Sequence, residues 1–196
     1  MTTRRPLAAE AAEPVAEAEI KLEITAEAFA AIARAVEAHG FTATGEEEIV
    51  DHYLAYQASE IAGFEFTRVR VVDGRSYLLT EKRWTRDAEG HPVRLEEERP
   101  LSPIEFGRLL PPDRVVPCLA KRRRNFRGMI DDLPAVISLD RLELPGRTRH
   151  FVECEVLTTP ERSRETRERL VAWARANLPV GSAPEAPSML QLVLEG

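Results

Sequence analysis

The sequence predicts a mainly β fold of the α+β class, built as a sandwich or a closed barrel with flanking helices. Three observations lead to this prediction. First, about eight short segments between residues 15 and 157 have the composition and alternation of strands. Second, short turns join most of them, and Asp73-Gly74 is typical of a tight hairpin. Third, the amphipathic segments near 26–39 and 160–178 need an apolar surface to cover, which a sheet provides.

The domain opens with strand and then helix patterning. From Val15 to Ile24, apolar and charged residues alternate with period two, which is typical of a half-buried strand. Thr25 is a suitable N-cap for the helix that follows, and Gly40 is placed to end it. Further strands are predicted at about 47–55, 64–72, 75–84, 92–98, 115–127, 134–142 and 149–157.

The remaining segments connect and cover the strands. A short helix begins at Ser102-Pro103, and Pro111 ends it. The last long helix opens with Pro160, because proline is favoured at the first helical position. Residues 181–187 form a linker, and residues 188–195 are apolar enough to pack back on the domain.

Composition narrows the classes of function. The 196 residues, 43% hydrophobic and 31% charged, fit a disordered leader over 1–13 and a single domain over 14–196. The net charge of -6 argues against a general nucleic-acid binder, and no apolar run is long enough to cross a bilayer. Cys118 and Cys154 have no metal-ligand spacing, and the N-terminus lacks a secretory signal. We expect a cytoplasmic protein that binds neither nucleic acid nor membrane, as a monomer or a homodimer.

One face of most strands carries long charged side chains of both signs. In the first strand this face holds Glu17, Glu19 and Lys21, whereas the opposite face is apolar. Later strands repeat the pattern, with Arg68, Arg70, Lys82, Arg94, Glu96, Glu98, Lys121, Arg123, Glu153 and Glu155.

Two interpretations of this charged face compete. In the first it meets water, as charged strand faces usually do, and its ions pair across strands. In the second the apolar face lies outward beneath the helices, and the charged face lines a wide barrel. Charges crowded into a partly dry lumen are costly unless a highly charged ligand compensates them.

A triphosphate bound together with metal ions is such a ligand. Arginine and lysine neutralise phosphate oxygens, and arginine can bind them with two hydrogen bonds. Carboxylate pairs hold hard divalent cations such as Mg²⁺ or Mn²⁺. Glu17 and Glu19 lie two apart on one strand and therefore point the same way, and Glu153 and Glu155 repeat that geometry.

The motifs resemble those of a known family. Glu17-Ala18-Glu19-Ile20-Lys21 resembles the ExExK signature of the triphosphate tunnel metalloenzymes, also called CYTH proteins. Later segments resemble the family's motifs in the same order, namely Asp51-His52-Tyr53 (DxY), Arg68-Val69-Arg70 (RxR), Lys82, Arg94 to Glu98 (RxExE), Lys121 to Phe126 (KxRxx-aromatic), and Asp140, Gly146 and Glu153-Cys154-Glu155 (D…G…ExE). The resemblance implies an eight-stranded antiparallel closed barrel, the triphosphate tunnel, with flanking helices.

The resemblance also implies roles for the charged residues. Lys21, Arg70 and Glu98 are the catalytic candidates. The expected cofactor is Mg²⁺ or Mn²⁺. Asp51 is expected to orient a basic residue, and Arg122 and Arg124 to lie outside the barrel. The triphosphate-binding candidates are Lys21, Arg68, Arg70, Lys82, Arg94, Lys121 and Arg123, and the metal-binding candidates are Glu17, Glu19, Glu153, Glu155, Asp140 and Glu96.

Three functions remain open at this point. Family members hydrolyse inorganic triphosphate, nucleoside triphosphates or thiamine triphosphate, and a triphosphatase is the leading hypothesis. The second is a class IV adenylate cyclase, which makes cyclic AMP and pyrophosphate from ATP, although the sequence has no evident base-recognition motif. The third is a module that binds a polyphosphate or nucleotide without turnover.

Overall fold

A computed structural model describes residues 15–144 and 146–195, in which eight antiparallel strands close into a barrel. The predicted leader over 1–13 lies outside the described residues. The neighbours around the barrel follow the order β1-β5-β4-β3-β2-β6-β7-β8. The elements are β1 (Ala16–Ile24), α1 (Ala26–Ala38), β2 (Thr42–Ala58), β3 (Phe64–Val72), β4 (Ser76–Arg86), β5 (Pro92–Leu101), α2 (Pro103–Leu109), β6 (Cys118–Ile130), β7 (Leu133–Leu144), β8 (Arg147–Thr158), a 3-10 turn (Pro160–Arg162), α3 (Ser163–Asn177) and α4 (Met189–Leu194).

The predicted barrel is confirmed, and the main differences lie at element ends. β2 begins at Thr42, about five residues before the predicted start at 47. Residues 42–48 are mostly exposed and polar, and their ladder of backbone hydrogen bonds to β6 holds them in the sheet. Hydrophobic alternation therefore could not reveal this part of the strand. A bulge at Gly45, whose φ of 146° favours glycine, shifts the register of that ladder. The long helix predicted to open with Pro160 is α3, which starts at Ser163 because a 3-10 turn precedes it.

The apolar face of the strands points outward, and helices α1 and α3 cover it. Ile20 and Leu22 of β1 pack in one buried cluster with Ile32 of α1 and Leu170 of α3. The principal hydrophobic core therefore lies between the barrel wall and the helices. The charged face is left to line the lumen, which confirms the second of the two interpretations of the strand pattern.

The C-terminal segment covers one end of the barrel. It first runs beside β1, where Ala186 N–H donates to the carbonyl of Lys21 over 2.9 Å. This edge of β1 is free because β1 pairs with β5 only at Ala16 and Leu95. Helix α4 then buries Leu190 and its neighbours against lumen-facing apolar residues of four strands, namely Tyr53, Leu119, Leu142 and Phe151. The predicted docking of residues 188–195 is confirmed, and it closes this end of the lumen.

The described part of the chain holds no helix that is both long and apolar enough to cross a membrane.

The two cysteines are expected to differ sharply in reactivity. Cys154 is fully buried, and burial raises the pKa of its thiol to about 12, whereas Cys118 is exposed. The reactive form is the thiolate. Iodoacetamide at pH 8 should therefore label Cys118 of the folded protein and reach Cys154 only in denaturant, as peptide mass spectrometry would show. Comparable labelling of Cys154 without denaturant would contradict the packing of β8.

Candidate active site in the barrel

The lumen is a cavity of about 1260 Å³ lined by charged side chains from the strands. All predicted triphosphate-binding residues line it. The predicted metal-binding residues line it as well, with the exception of Asp140, and so does Glu98. Closure of the barrel explains this convergence. Every second side chain of each contributing strand points inward, and the closed sheet brings these side chains together.

Asp140 lies behind the lumen surface and anchors two of its cations. Its carboxylate is fully buried and accepts hydrogen bonds from Lys121 Nζ (2.8 Å) and Arg123 Nε (2.7 Å). Arg123 also donates to Glu153 over 3.1 Å. Burial alone would raise the pKa of Asp140, but the charges of Arg123 and Lys121 hold it below its usual range. Both oxygens of this metal-binding candidate are thus engaged by cations.

Asp51 plays the same part for the neighbouring wall, because β2 pairs with β6 in the barrel. Its buried carboxylate accepts from Arg70 Nε (2.8 Å) and from Arg68 (3.2 Å). Asp51 shares the inward parity of β2, and its two partners lie opposite on β3, which is paired with it. The two arginines are therefore held facing the lumen, as expected for a residue that orients basic groups.

The carboxylates of β1 and β8 lie across the lumen from Asp51, and β8 is the barrel neighbour of β7, which carries Asp140. Glu17 accepts from Lys82 (2.9 Å), and Glu19 accepts from Arg94. Lys21 lies between the two strands, 3.1 Å from Glu19 and 2.8 Å from Glu153. Burial opposes the charge of Lys21, but Glu153 and Glu19 raise the pKa of Lys21 above its ordinary value. This lysine consequently stays a cation at neutral pH.

Glu155 differs from the other carboxylates of β1 and β8 because no cation in the described residues pairs with it. Burial, and then the charges of Glu17, Glu153 and Glu19, raise the pKa of Glu155 to about 8. The four carboxylates face one side of the lumen, and Glu155 is repelled by the other three, whose charges are already paired with lumen cations. Such a set of oxygen donors fits a hard divalent cation, which would relieve this repulsion.

The other residues for which the sequence predicted a position or a role lie on the lumen wall or on the outer surface of the barrel. Glu96 lies between Lys82 and Arg68 on the lumen wall. Glu98 is exposed and accepts a hydrogen bond from the Thr80 hydroxyl over 3.2 Å. Arg122 points to the outer surface, beside Glu48.

Several lumen residues are absent from the predicted site. The Ser138 hydroxyl donates to Asn125 Oδ1 (2.8 Å), and the Asn125 amide donates to Glu47 (3.0 Å). Their inward parity, adjacent to Asp140 and Arg123, was the signal that could have identified Ser138 and Asn125. Residues 186–191 also line the cavity, and only the tertiary path of the C-terminal segment brings them there.

A second group of potential metal ligands lies outside the lumen. Asp87, Glu89 and His91 meet at the hairpin between β4 and β5. There Asp87 already accepts from the backbone N–H of His91 over 2.7 Å. This group belongs to the turn, and it is separate from the four lumen carboxylates.

Comparison with known proteins identifies the family. The model of the CYTH domain matches residues 16–177. The chain belongs to the CYTH domain family. Members of this family are typically metal-dependent enzymes that act on triphosphates. The match spans the barrel and α3, and it ends before the segment that covers the lumen.

Solved structures share the fold of this CYTH protein. A Pyrococcus horikoshii OT3 protein, PH1819, is 23% identical with a TM-score of 0.63, over 91% of this chain and 98% of that one. A Hippeastrum protein described as a candidate adenylyl cyclase with a dominant triphosphatase activity is 18% identical with a TM-score of 0.58, over 93% and 96%. A candidate adenylate cyclase from Bacillus halodurans is 15% identical with a TM-score of 0.52, over 90% and 96%. The comparison with curated proteins returns no similar sequence.

Proposed function

We propose that this CYTH protein is a metal-dependent triphosphatase, which hydrolyses inorganic tripolyphosphate or an organic triphosphate such as a nucleoside or thiamine triphosphate. The observation that carries the proposal is the single lumen that holds both a cationic wall and a cluster of four carboxylates. A triphosphate with its metal ion matches both halves of this lumen. The net charge of -6 and the enclosed site favour a free small molecule over a nucleic acid, and we place the reaction in the cytoplasm.

Unpaired donors in the lumen support an anionic ligand. Among the described residues, the Nε atoms of Arg68 and Arg94 are buried without a hydrogen-bond partner. Buried donors normally have partners, because leaving one unpaired costs free energy. Both guanidinium groups face the cavity, so phosphate oxygens would supply the missing acceptors.

We assign the metal to Glu17, Glu19, Glu153 and Glu155. When bound there, Mg²⁺ or Mn²⁺ would neutralise phosphate charge and lower the pKa of a coordinated water. Of the other two candidates, Asp140 does not line the lumen and Glu96 lies between Lys82 and Arg68, so we give both the supporting role of holding phosphate-binding groups in place.

The chain's own residues supply positioning and charge. Lys21, held between Glu19 and Glu153, would stabilise negative charge that develops on the phosphoryl oxygens. Arg70, fixed by Asp51, would orient the triphosphate along the lumen. Glu98, whose carboxylate is exposed, would position a water and accept its proton.

Product-resolved turnover tests the proposal. The purified protein is incubated with tripolyphosphate, ATP or thiamine triphosphate and Mg²⁺ or Mn²⁺, and the products are separated by chromatography. We expect phosphate release from at least one substrate. Cyclic AMP with pyrophosphate would identify a cyclase instead, and stoichiometric binding without turnover would identify a binding module.

Neighbouring arginines on β6 provide a matched pair of variants. Arg123 faces the lumen and binds Asp140 through two nitrogens, whereas Arg122 lies on the outside. Arg123→Lys should lower kcat/KM on the order of tenfold or more, because lysine cannot reproduce this two-point contact. Arg122→Lys should leave it unchanged. Equal activity of the two variants would contradict the assignment of the lumen as the site.

Chelation should remove activity and leave the fold intact. The principal core lies outside the lumen, between the strands and the helices, so folding does not depend on the metal site. With EDTA we expect turnover to stop while circular dichroism stays unchanged, and added Mg²⁺ or Mn²⁺ should restore activity. Full turnover after exhaustive chelation would rule out the metal requirement.

A further inference from the structure

Tyr53 carries a buried hydroxyl that has no hydrogen-bond partner among the described residues. The side chain is 1% exposed and lines the lumen. Burying a hydroxyl without a partner costs free energy, and phenylalanine would fill the same space without that cost. Packing alone therefore does not explain a tyrosine at this position.

The hydroxyl lies beside a second unpaired donor. Tyr53 and Arg68 are direct cross-strand partners on β2 and β3, and both face inward. Arg68 Nε is likewise buried without a partner. Two adjacent donors that make no bond to each other can share one acceptor, and the nearby cations favour an anionic one.

The position of Tyr53 is fixed by its neighbours. Its ring meets Phe66 edge to face, with centroids 5.4 Å apart, and packs in one cluster with Leu190 of α4. The hydroxyl is therefore held rigidly at the covered end of the lumen. Burial raises the pKa of Tyr53 to about 12, so the hydroxyl keeps its proton and remains a donor at neutral pH.

We propose that the Tyr53 hydroxyl is a further substrate-binding group, which donates a hydrogen bond to a phosphate oxygen at the end of the lumen covered by α4. Arg68 Nε donates to the same phosphate group. This inference rests on the proposed function, because it takes a triphosphate as the ligand. It assigns the covered end to a terminal phosphate, so that any organic group of the substrate faces the opposite mouth.

The test measures affinity without turnover. The probe is imidotriphosphate, in which N–H groups replace the bridging oxygens, titrated calorimetrically in the presence of Mg²⁺. The wild type is compared with Tyr53→Phe and with the control Tyr77→Phe, whose ring stacks on Phe106 and does not line the lumen. The melting temperature of each ligand-free protein is measured in parallel.

We expect Tyr53→Phe to weaken binding on the order of tenfold or more, because it removes a hydrogen bond to a charged group. Its ligand-free melting temperature should stay equal or rise, because an unpaired buried hydroxyl is gone. Tyr77→Phe should bind like the wild type. Wild-type affinity in Tyr53→Phe, or a melting temperature lowered by several degrees, would overturn the tyrosine inference alone. A wild type that does not bind the probe would overturn the proposed function as well.

Discussion

Replacing Glu155 with glutamine is expected to abolish most metal-dependent turnover while making the metal-free protein more stable. Glu155 has no cation partner among the described residues and lies near Glu17, Glu153 and Glu19. Glutamine keeps the shape but removes one charge from this cluster, which weakens metal binding and relieves repulsion. We expect turnover to fall on the order of a hundredfold, as substitutions around metal sites commonly cause.

The pH dependence of stability gives the same variant a second readout. The carboxyl of Glu155 has a pKa of about 8 in the folded protein, against about 4.3 in an unfolded chain. Between these values the folded state holds a proton that the unfolded state has released. The unfolding free energy of the metal-free wild type should therefore fall as pH rises through this window. Glu155→Gln should remove that part of the slope.

The matched control is Glu97→Gln, which changes an exposed glutamate on the outer face of β5. Stability is measured by urea unfolding at pH 5 and pH 8, with and without Mg²⁺, and turnover at pH 8. Glu97→Gln should behave like the wild type in both assays. A Glu155→Gln protein with wild-type turnover, or with lower stability than the wild type at pH 8, would contradict the carboxylate cluster as the metal site.

Asp140→Asn is expected to cause the largest loss of stability among the lumen substitutions. Asp140 is fully buried and pairs with Lys121 and Arg123. When the charge of Asp140 is removed, Arg123 remains buried and cannot lose its proton. Burial, and then the charge of Arg123, already lower the pKa of Lys121 to about 7, so this lysine should become neutral. Breaking a buried pair in this way costs about 3 kcal/mol of unfolding free energy.

Affinity for the triphosphate should fall in the same variant, because the lumen loses the charge of Lys121 and the fixed orientation of Arg123. The control is Asp132→Asn at the exposed turn between β6 and β7, where the carboxylate contacts Arg169. That surface contact should contribute little to stability. Urea unfolding and calorimetric titration measure both effects, and a stable, tightly binding Asp140→Asn would show that Asp140 does not anchor these cations.

Much of the barrel and of its lumen could be predicted because the charged residues recur at every second position of the strands. Glu17, Glu19 and Lys21 alternate with Ala18 and Ile20, so two-residue periodicity alone sorts the charged face from the apolar one. Periodicity does not say which face points inward. That choice depends on where α1 and α3 pack, and the family resemblance supplied the answer that patterning left open.

Other features depend on distant contacts and leave no local pattern. The carboxyl of Asp140 has the expected parity, yet its burial behind Lys121 depends on the register of β6 with β7. The role of α4 depends on the path of the tail along the free edge of β1. The early start of β2 is held by ladder bonds rather than by apolar burial, so its polar residues give no sign of it.

A co-crystal structure with tripolyphosphate and Mn²⁺ is the most direct test of the central claim, and anomalous scattering would locate the metal. The prediction is an anomalous peak among the carboxylates of Glu17, Glu19, Glu153 and Glu155, with the triphosphate lying along the wall formed by Lys21, Arg68, Arg70, Lys82, Arg94, Lys121 and Arg123. A lumen without metal or phosphate in crystals that diffract well, or a manganese peak only at Asp87, Glu89 and His91, would contradict the assignment.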